Sequence, residues 1–300
     1  QNCKLFLLVF VLLSACVSGQ EGESKLTIVT TTGIIGDCIS ELVGDQAEVI
    51  AIMGPGVDPH LYKASQGDLV KLSKADVIIY NGLHLEGKMA QVLKKSARDK
   101  TILSMGEFAP DARLKHIDEE SELRDPHIWF DPELWMECLE SIALELEKEE
   151  ELTGVYQNFL QYKAQVLAER DSLKVYIENS LSEDQRILIT SHDAFAYFGR
   201  AFGFEVRGLQ GISTAAEFGI KDVTELIDYI IERKVRAVFI ETSVSDKNLK
   251  SVVEGARARG YELKVGGTLF SDALGEKDGP AENYLGMLKE NVHTIVNGLQ

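Results

Sequence analysis

TGVYQNFLQYKAQVLAERDSLKVYIENSL, residues 153–181, is the longest helical pattern in the chain. Tyr156, Phe159, Leu160, Val166, Leu167, Leu173 and Ile177 recur near i, i+3, i+4, i+7 spacing, while Lys, Gln, Glu and Arg fill the other faces. No proline interrupts the run, and Gly154 stands at its start. At about 1.5 Å per residue such a helix runs roughly 40 Å, the dimension of a whole domain.

On both sides of this helix, short β-branched runs alternate with helical stretches. Before it, strands are expected at Leu26–Thr31, Glu48–Met53, Val77–Tyr80 and Thr101–Ser104, with helices at Ile34–Val43, Ser65–Ser73, Glu86–Ala97 and Pro132–Glu150. After it, strands are expected at Arg186–Thr190, Phe204–Val206, Ala237–Ile240 and Glu262–Val265. Helices are expected there at Ala194–Phe202, Ile220–Arg233, Lys247–Arg257 and Ala281–Leu299. Strand–helix alternation means parallel sheets with helices on both faces. The fold class is therefore α/β: two lobes, residues 26–152 and 182–300, each with a mainly parallel sheet, joined by the backbone helix 153–181. A continuous helix between lobes bends little, so a small rocking of the lobes is expected rather than a wide hinge. Ligands of such sheets bind beyond the carboxyl ends of the strands, which places the interest in the loops there.

Composition narrows the function. The 300 residues carry 48 acidic against 31 basic side chains, a formal charge of −17. That surface repels phosphate backbones, so no nucleic-acid partner is expected, and it mildly concentrates cations. The run LFLLVFVLLSA, Leu5 to Ala15, follows Lys4 and is about half the roughly 20 residues a spanning helix needs. It reads as a signal-peptide core, residues 1–15. Its end, Leu13-Ser14-Ala15-Cys16, resembles the bacterial lipobox, in which the cysteine thiol takes a diacylglyceryl group and becomes the mature N-terminus. Residues 16–25 then form a tether from Cys16, and the globular part is expected outside the cell membrane, facing periplasm or exterior. Cys38 and Cys138 lack any CxxC neighbour and are expected to be two separate buried thiols rather than a metal site.

Three histidines stand in turn-rich loops next to expected strands or helices. They are His60 in GPGVDPH (54–60), His127 in DPHIWFDP (125–132) and His192 in TSHD (190–193). A fourth loop, GGTLFSD (266–272), offers the carboxylate of Asp272. Two of the four come from each lobe, and only the fold can bring them together. Three neutral imidazoles and one carboxylate suit a first-row divalent ion such as Zn²⁺ or Mn²⁺. Asp-Pro before His60 and His127 restricts the backbone and can pre-aim the rings. Taken singly, a loop histidine is more often a cap or a solvated side chain than a ligand.

GPGVDPHLY, YNGLHLE, DPHIWFDP, TSHDAFAYFGRAFG and GGTLFSDALG, in this order, resemble the solute-binding lipoproteins of zinc/manganese ABC transporters, the TroA-like family. The resemblance runs from Leu26 to the C-terminus. It implies that His60, His127, His192 and Asp272 are the metal ligands, and that two α/β lobes are bridged by one long helix. It also implies a lipid-anchored, monomeric receptor that hands Zn²⁺ or Mn²⁺ to a permease driven by an ATPase, with no chemistry of its own. Two departures leave the ion open. Manganese-dedicated members usually carry Glu where this chain has His192, and zinc-dedicated members often carry a His-rich loop. Here residues 111–125 hold only His116 among acidic neighbours.

His84 and Glu86 are expected to organise a helix start near the cleft, His116 to be solvated and His293 to be structural. Glu241, Asp131 and Asp193 are candidates to brace a ligand ring from behind. Two other readings stay open at this level: a metal-dependent hydrolase, although no HExxH is present, and a surface adhesin.

Overall fold

The computed structural model of the chain describes residues 25–96, 100–117, 122–216 and 218–300. The signal segment, Cys16 and most of the tether lie outside the described residues, as do residues 118–121 of the acidic stretch.

Two four-stranded sheets form, and every strand pair in them is parallel. The first contains β1 (Leu26–Thr32), β2 (Ala47–Met53), β3 (Val77–Tyr80) and β4 (Thr101–Ser104), in the order β2-β1-β3-β4. The second contains β5 (Ile187–His192), β6 (Glu205–Gln210), β7 (Ala237–Glu241) and β8 (Lys264–Leu269), in the order β6-β5-β7-β8. The order reverses beside β1 in one sheet and beside β5 in the other. Successive connections leave in opposite directions there and open a crevice beyond the strand ends.

Nine α-helices lie among the described residues: α1 (Gly33–Val43), α2 (Gln66–Lys74), α3 (Ala90–Ser96), α4 (Pro132–Leu146), α5 (Val155–Ser180), α6 (Ala196–Phe202), α7 (Ile220–Arg233), α8 (Lys247–Ala258) and α9 (Tyr284–Leu299). Local chemistry sets several of their starts. Ser65 and Asp68 close a reciprocal capping box on α2. Asp131 accepts from the backbone N–H groups of Glu133 and Leu134 at the head of α4, and Pro132 fills its first turn. α6 and α9 start two and three residues later than the sequence pattern suggests, and α3 and α4 are shortened more. α4 stops at Leu146 because Glu147, Glu149, Glu150 and Glu151 would otherwise crowd its negative C-terminal end. α3 starts at Ala90, and the chain from Leu83 to Met89 forms turns instead, entered through the positive φ of Gly82, Leu83 and His84. In the other direction, β5 runs on to His192, so this histidine is the last residue of the strand and not part of the loop after it, and β6 and β8 run on to Gln210 and Leu269, so residues 266–269 of the expected GGTLFSD loop are strand.

The long helix α5 buries Val155, Phe159, Tyr162, Val166, Leu173 and Ile177 against α1 and α4 of the first half and α9 of the second. Tyr162 takes the place the spacing suggested for Leu160, which is exposed. One hydrophobic core joins the inner helices α1, α4, α5, α6 and α9 with the inner faces of both sheets. Two smaller clusters lie under α2 and α3, and under α7 and α8. The lobes therefore share their largest core instead of each closing its own, which stiffens one against the other. Within it Cys38 and Cys138 are free and buried. Burial pushes the Cys138 thiol up to about 12 and that of Cys38 higher still. His293 stacks edge-on against Tyr176 and ties α9 to α5.

Candidate metal centre

His60 follows β2, His127 lies between β4 and α4, His192 ends β5 and Asp272 follows β8. Each thus stands at or past the carboxyl end of a strand, and the two sheets face each other there. The four side chains converge: one ligand atom from each lies within 4.8 Å of all the others. His60 Nε2 is 3.3 Å from His127 Nε2, His127 Nε2 is 3.5 Å from Asp272 Oδ1, and His192 Nε2 is 3.4 Å from Asp272 Oδ2. A cation held at about 2.0–2.1 Å by four tetrahedral donors sets those donors about 3.3 Å apart. All four residues are buried, with exposures of 5% or less. His192 Nε2 and Asp272 Oδ1 are buried without any hydrogen-bond partner, although such atoms are costly to leave unpaired.

The rings are aimed from behind. Both Asp-Pro-His segments form the same turn, in which the aspartate accepts the backbone N–H of the histidine two residues on: Asp58 to His60 at 2.8 Å and Asp125 to His127 at 3.0 Å. Asp125 Oδ1 also lies 2.7 Å from His127 Nδ1. A carboxylate there keeps the ring proton on Nδ1 and leaves Nε2 free to bind. Glu241, at the end of β7, stands behind His192 as a close ion-pair partner. Its Oε1 accepts the His192 backbone N–H at 2.9 Å and its Oε2 lies 2.5 Å from Nδ1. The loops are also stitched across the lobes. Trp129 Nε1 donates to the Ser271 carbonyl, Tyr284 donates to the Trp129 carbonyl, and Thr214 donates to Asp58. Gly208 is required beside the His192–Asp193 backbone, which a Cβ would strike.

Charge sharpens the picture. Burial pushes His60 down to about 3, overriding Asp272, so this ring is neutral. Burial also opposes charge on His127 and His192, yet the carboxylates win: Asp125 and Asp272 lift His127 to about 9, and Glu241 and Asp272 lift His192 well above the usual range. Burial would raise Asp272, but His192 and His127 hold it well below the carboxylate range.

Of the residues singled out from sequence for a bracing role, Glu241 alone contacts a ligand ring. Asp131 is occupied elsewhere: it caps α4 and binds Arg113 and Arg200, the latter at 3.1 Å from Nε and 2.8 Å from Nη2. Asp193 follows His192 in a bend after β5. Among the described residues its half-buried carboxylate makes no hydrogen bond to a ligand ring. Glu86 stays out of the ligand set but organises the end of β3 rather than a helix start. It accepts from Thr31 Oγ1, Asn81 N and Gly82 N, and the Asn81 side chain in turn holds the Pro126 carbonyl beside His127. His84 is exposed, and exposed His116 lies 2.9 Å from Arg124. The brace that sequence reasoning missed is Asp125. Its signal was present in the Asp-Pro-His turn, which was read only as a backbone restraint.

Two parallel-sheet lobes on a shared helical spine, with a buried His₃Asp cluster between them, define a binding protein for a small divalent cation. The model of the family described as periplasmic zinc-uptake complex component A, ZnuA, matches residues 28–298. The manganese-binding lipoprotein MntA of Bacillus subtilis is 41% identical over 286 residues, covering 94% of this chain and 92% of the relative. The zinc-binding protein TroA of Treponema pallidum is 41% identical over 280 residues, covering 92% and 90%. The solved structure of that periplasmic protein superposes with a TM-score of 0.84 at 40% identity, covering 92% of this chain and 99% of the other. The chain belongs to this family, the TroA-like solute-binding lipoproteins of zinc and manganese ABC importers.

Proposed function

We propose that His60, His127, His192 and Asp272 together hold one Zn²⁺ or Mn²⁺ ion as cargo, between lobes 26–152 and 182–300. The observation that carries this is the buried cluster itself, with His192 Nε2 and Asp272 Oδ1 in it left without hydrogen-bond partners. Four protein donors complete the coordination of a zinc ion. A hydrolytic centre instead keeps a position open for an activated water, so the site is a carrier's and the protein is not an enzyme. The ion passes to a permease powered by an ATPase. Cys16 carries the lipid that anchors a monomeric receptor to the cell membrane, facing periplasm or exterior. No helix among the described residues is long and apolar enough to cross a membrane. The helix α5 and the shared core support a small rocking of the lobes on release.

Relatives equally similar to this chain are named for manganese and for zinc, so overall likeness does not choose the cargo. Zinc outbinds manganese at a nitrogen-rich site, and supply then decides what is carried. Elemental analysis of protein from its native membrane, with competition titrations, reads the ion directly. His60→Ala should weaken zinc binding at least about 100-fold, one donor's part of an apparent binding energy of about 10–16 kcal/mol. Unchanged affinity would remove His60 from the site.

A further inference from the structure

Beside Asp272 stands a serine that no sequence motif marked. Ser243, two residues past the end of β7, donates from Oγ to Asp272 Oδ2 at 3.2 Å. Its Oγ is also 2.9 Å from Ser271 Oγ, and Ser271 is fully buried. The ionised carboxylate only accepts, and Ser243 has a single hydroxyl proton. That proton goes to Asp272, so Ser271 must be the donor in the second contact. The result is a directed chain, Ser271 to Ser243 to Asp272. It engages one carboxylate oxygen and leaves the other, Oδ1, without a hydrogen-bond partner. Both oxygens nevertheless face the rings, Oδ1 toward His127 and Oδ2 toward His192.

We propose that Ser243 is a positioning residue that limits Asp272 to one strong oxygen donor and thereby biases the site toward zinc over manganese. A hydrogen bond on Oδ2 draws charge from that oxygen and leaves Oδ1 the better ligand. Three nitrogens and one oxygen make the four-coordinate set that zinc takes readily. A carboxylate free to chelate adds a fifth donor and more oxygen character, which suits manganese. The segment Glu241–Ser243 thus aims both ligands of the second lobe, Glu241 through the His192 ring and Ser243 through the acid.

This rests on the four-ligand reading, and the test separates the two. In the full chain, Ser243→Ala should lower the ratio of manganese to zinc dissociation constants about tenfold, the scale of outer partners of a metal ligand. The cobalt-loaded variant should lose visible d–d intensity as its coordination number rises, and Ser243→Thr should restore both readouts. Should Ser243→Ala fail to fold, as judged by circular dichroism, Ser271→Ala tests the same chain and should shift both readouts in the same direction. If zinc binding collapses in His192→Ala while the alanine variants that fold keep the wild-type ratio and cobalt spectrum, the role of Ser243 is overturned and the site stands. If His192→Ala binds zinc like the wild type, the four-ligand site itself fails.

Discussion

His192→Ala should weaken zinc binding by about 100- to 1,000-fold, measured by competition with a chromophoric chelator. Apparent binding energies of four-donor zinc sites run to about 10–16 kcal/mol, so one donor accounts for about 3–4 kcal/mol, and each 1.4 kcal/mol is a factor of ten. Two features place His192 at the upper end of that range. Its Nε2 is buried with no alternative partner. Its removal also strands Glu241, whose side chain is fully buried against the ring, and a buried charge that loses its partner is strongly destabilising. The variant should therefore also melt earlier than the wild type without metal. Glu241→Gln supplies the contrast. It keeps an acceptor for the His192 backbone N–H, but its amide can donate to Nδ1 and move the ring proton onto Nε2, the end that must bind. A loss of about 10–100-fold is expected there, from the wrong tautomer rather than a missing donor. An affinity in His192→Ala within threefold of wild type would exclude this ring from the site.

Much of this architecture is written in local pattern, and the parts that are not share a physical cause. Parallel sheets follow from strand–helix alternation, and α5 from the apolar stripe over residues 153–181, because both depend on neighbours in sequence. The loops of His60 and His127 stand out because Asp-Pro-His makes a turn chemically distinct from its surroundings, a mark that His192 and Asp272 lack. The shared core does not. Apolar residues nearly all round α4, among them Leu134, Trp135, Met136, Cys138 and Leu139, tell that the helix is buried but not which sheet covers it. The partners of the ligands are the hardest to read. Asp125 and Asp131 begin and end the same loop, and composition cannot tell the helix cap from the ring brace. The distinction rests on Arg200, supplied from α6 far along the chain, which draws Asp131 away. Ser243 is harder still, since a serine after a strand looks like any solvated hydroxyl until Asp272 arrives beside it.

Metal affinity should rise with pH through the whole range from 6 to 8, with a slope of between one and two decades in Kd per pH unit. Ordinary imidazoles would give a curve that levels off above about 6.5, which is all the sequence predicts for three histidines. The structure changes that curve ring by ring. His60 is pushed down to about 3, so it is already neutral and contributes no slope above pH 4. His127 is lifted to about 9 and His192 well above its usual value, because each has a carboxylate behind it and Asp272 in front. Asp272 is held ionised well below this range and contributes none. The sign follows: a raised pKa means the empty ring holds a proton at neutral pH, the cation must displace it, and acid therefore favours the empty protein. Each displaced proton gives one decade per pH unit until pH exceeds the raised pKa. Calorimetric titrations at pH 7 in buffers of different ionisation enthalpy should count between one and two protons released per zinc bound. Asp125→Asn should reduce that count, since it removes the charge that holds the proton on His127. A flat affinity between pH 6 and 8, with no proton release, would mean that the carboxylates behind the rings do not hold them charged when the site is empty.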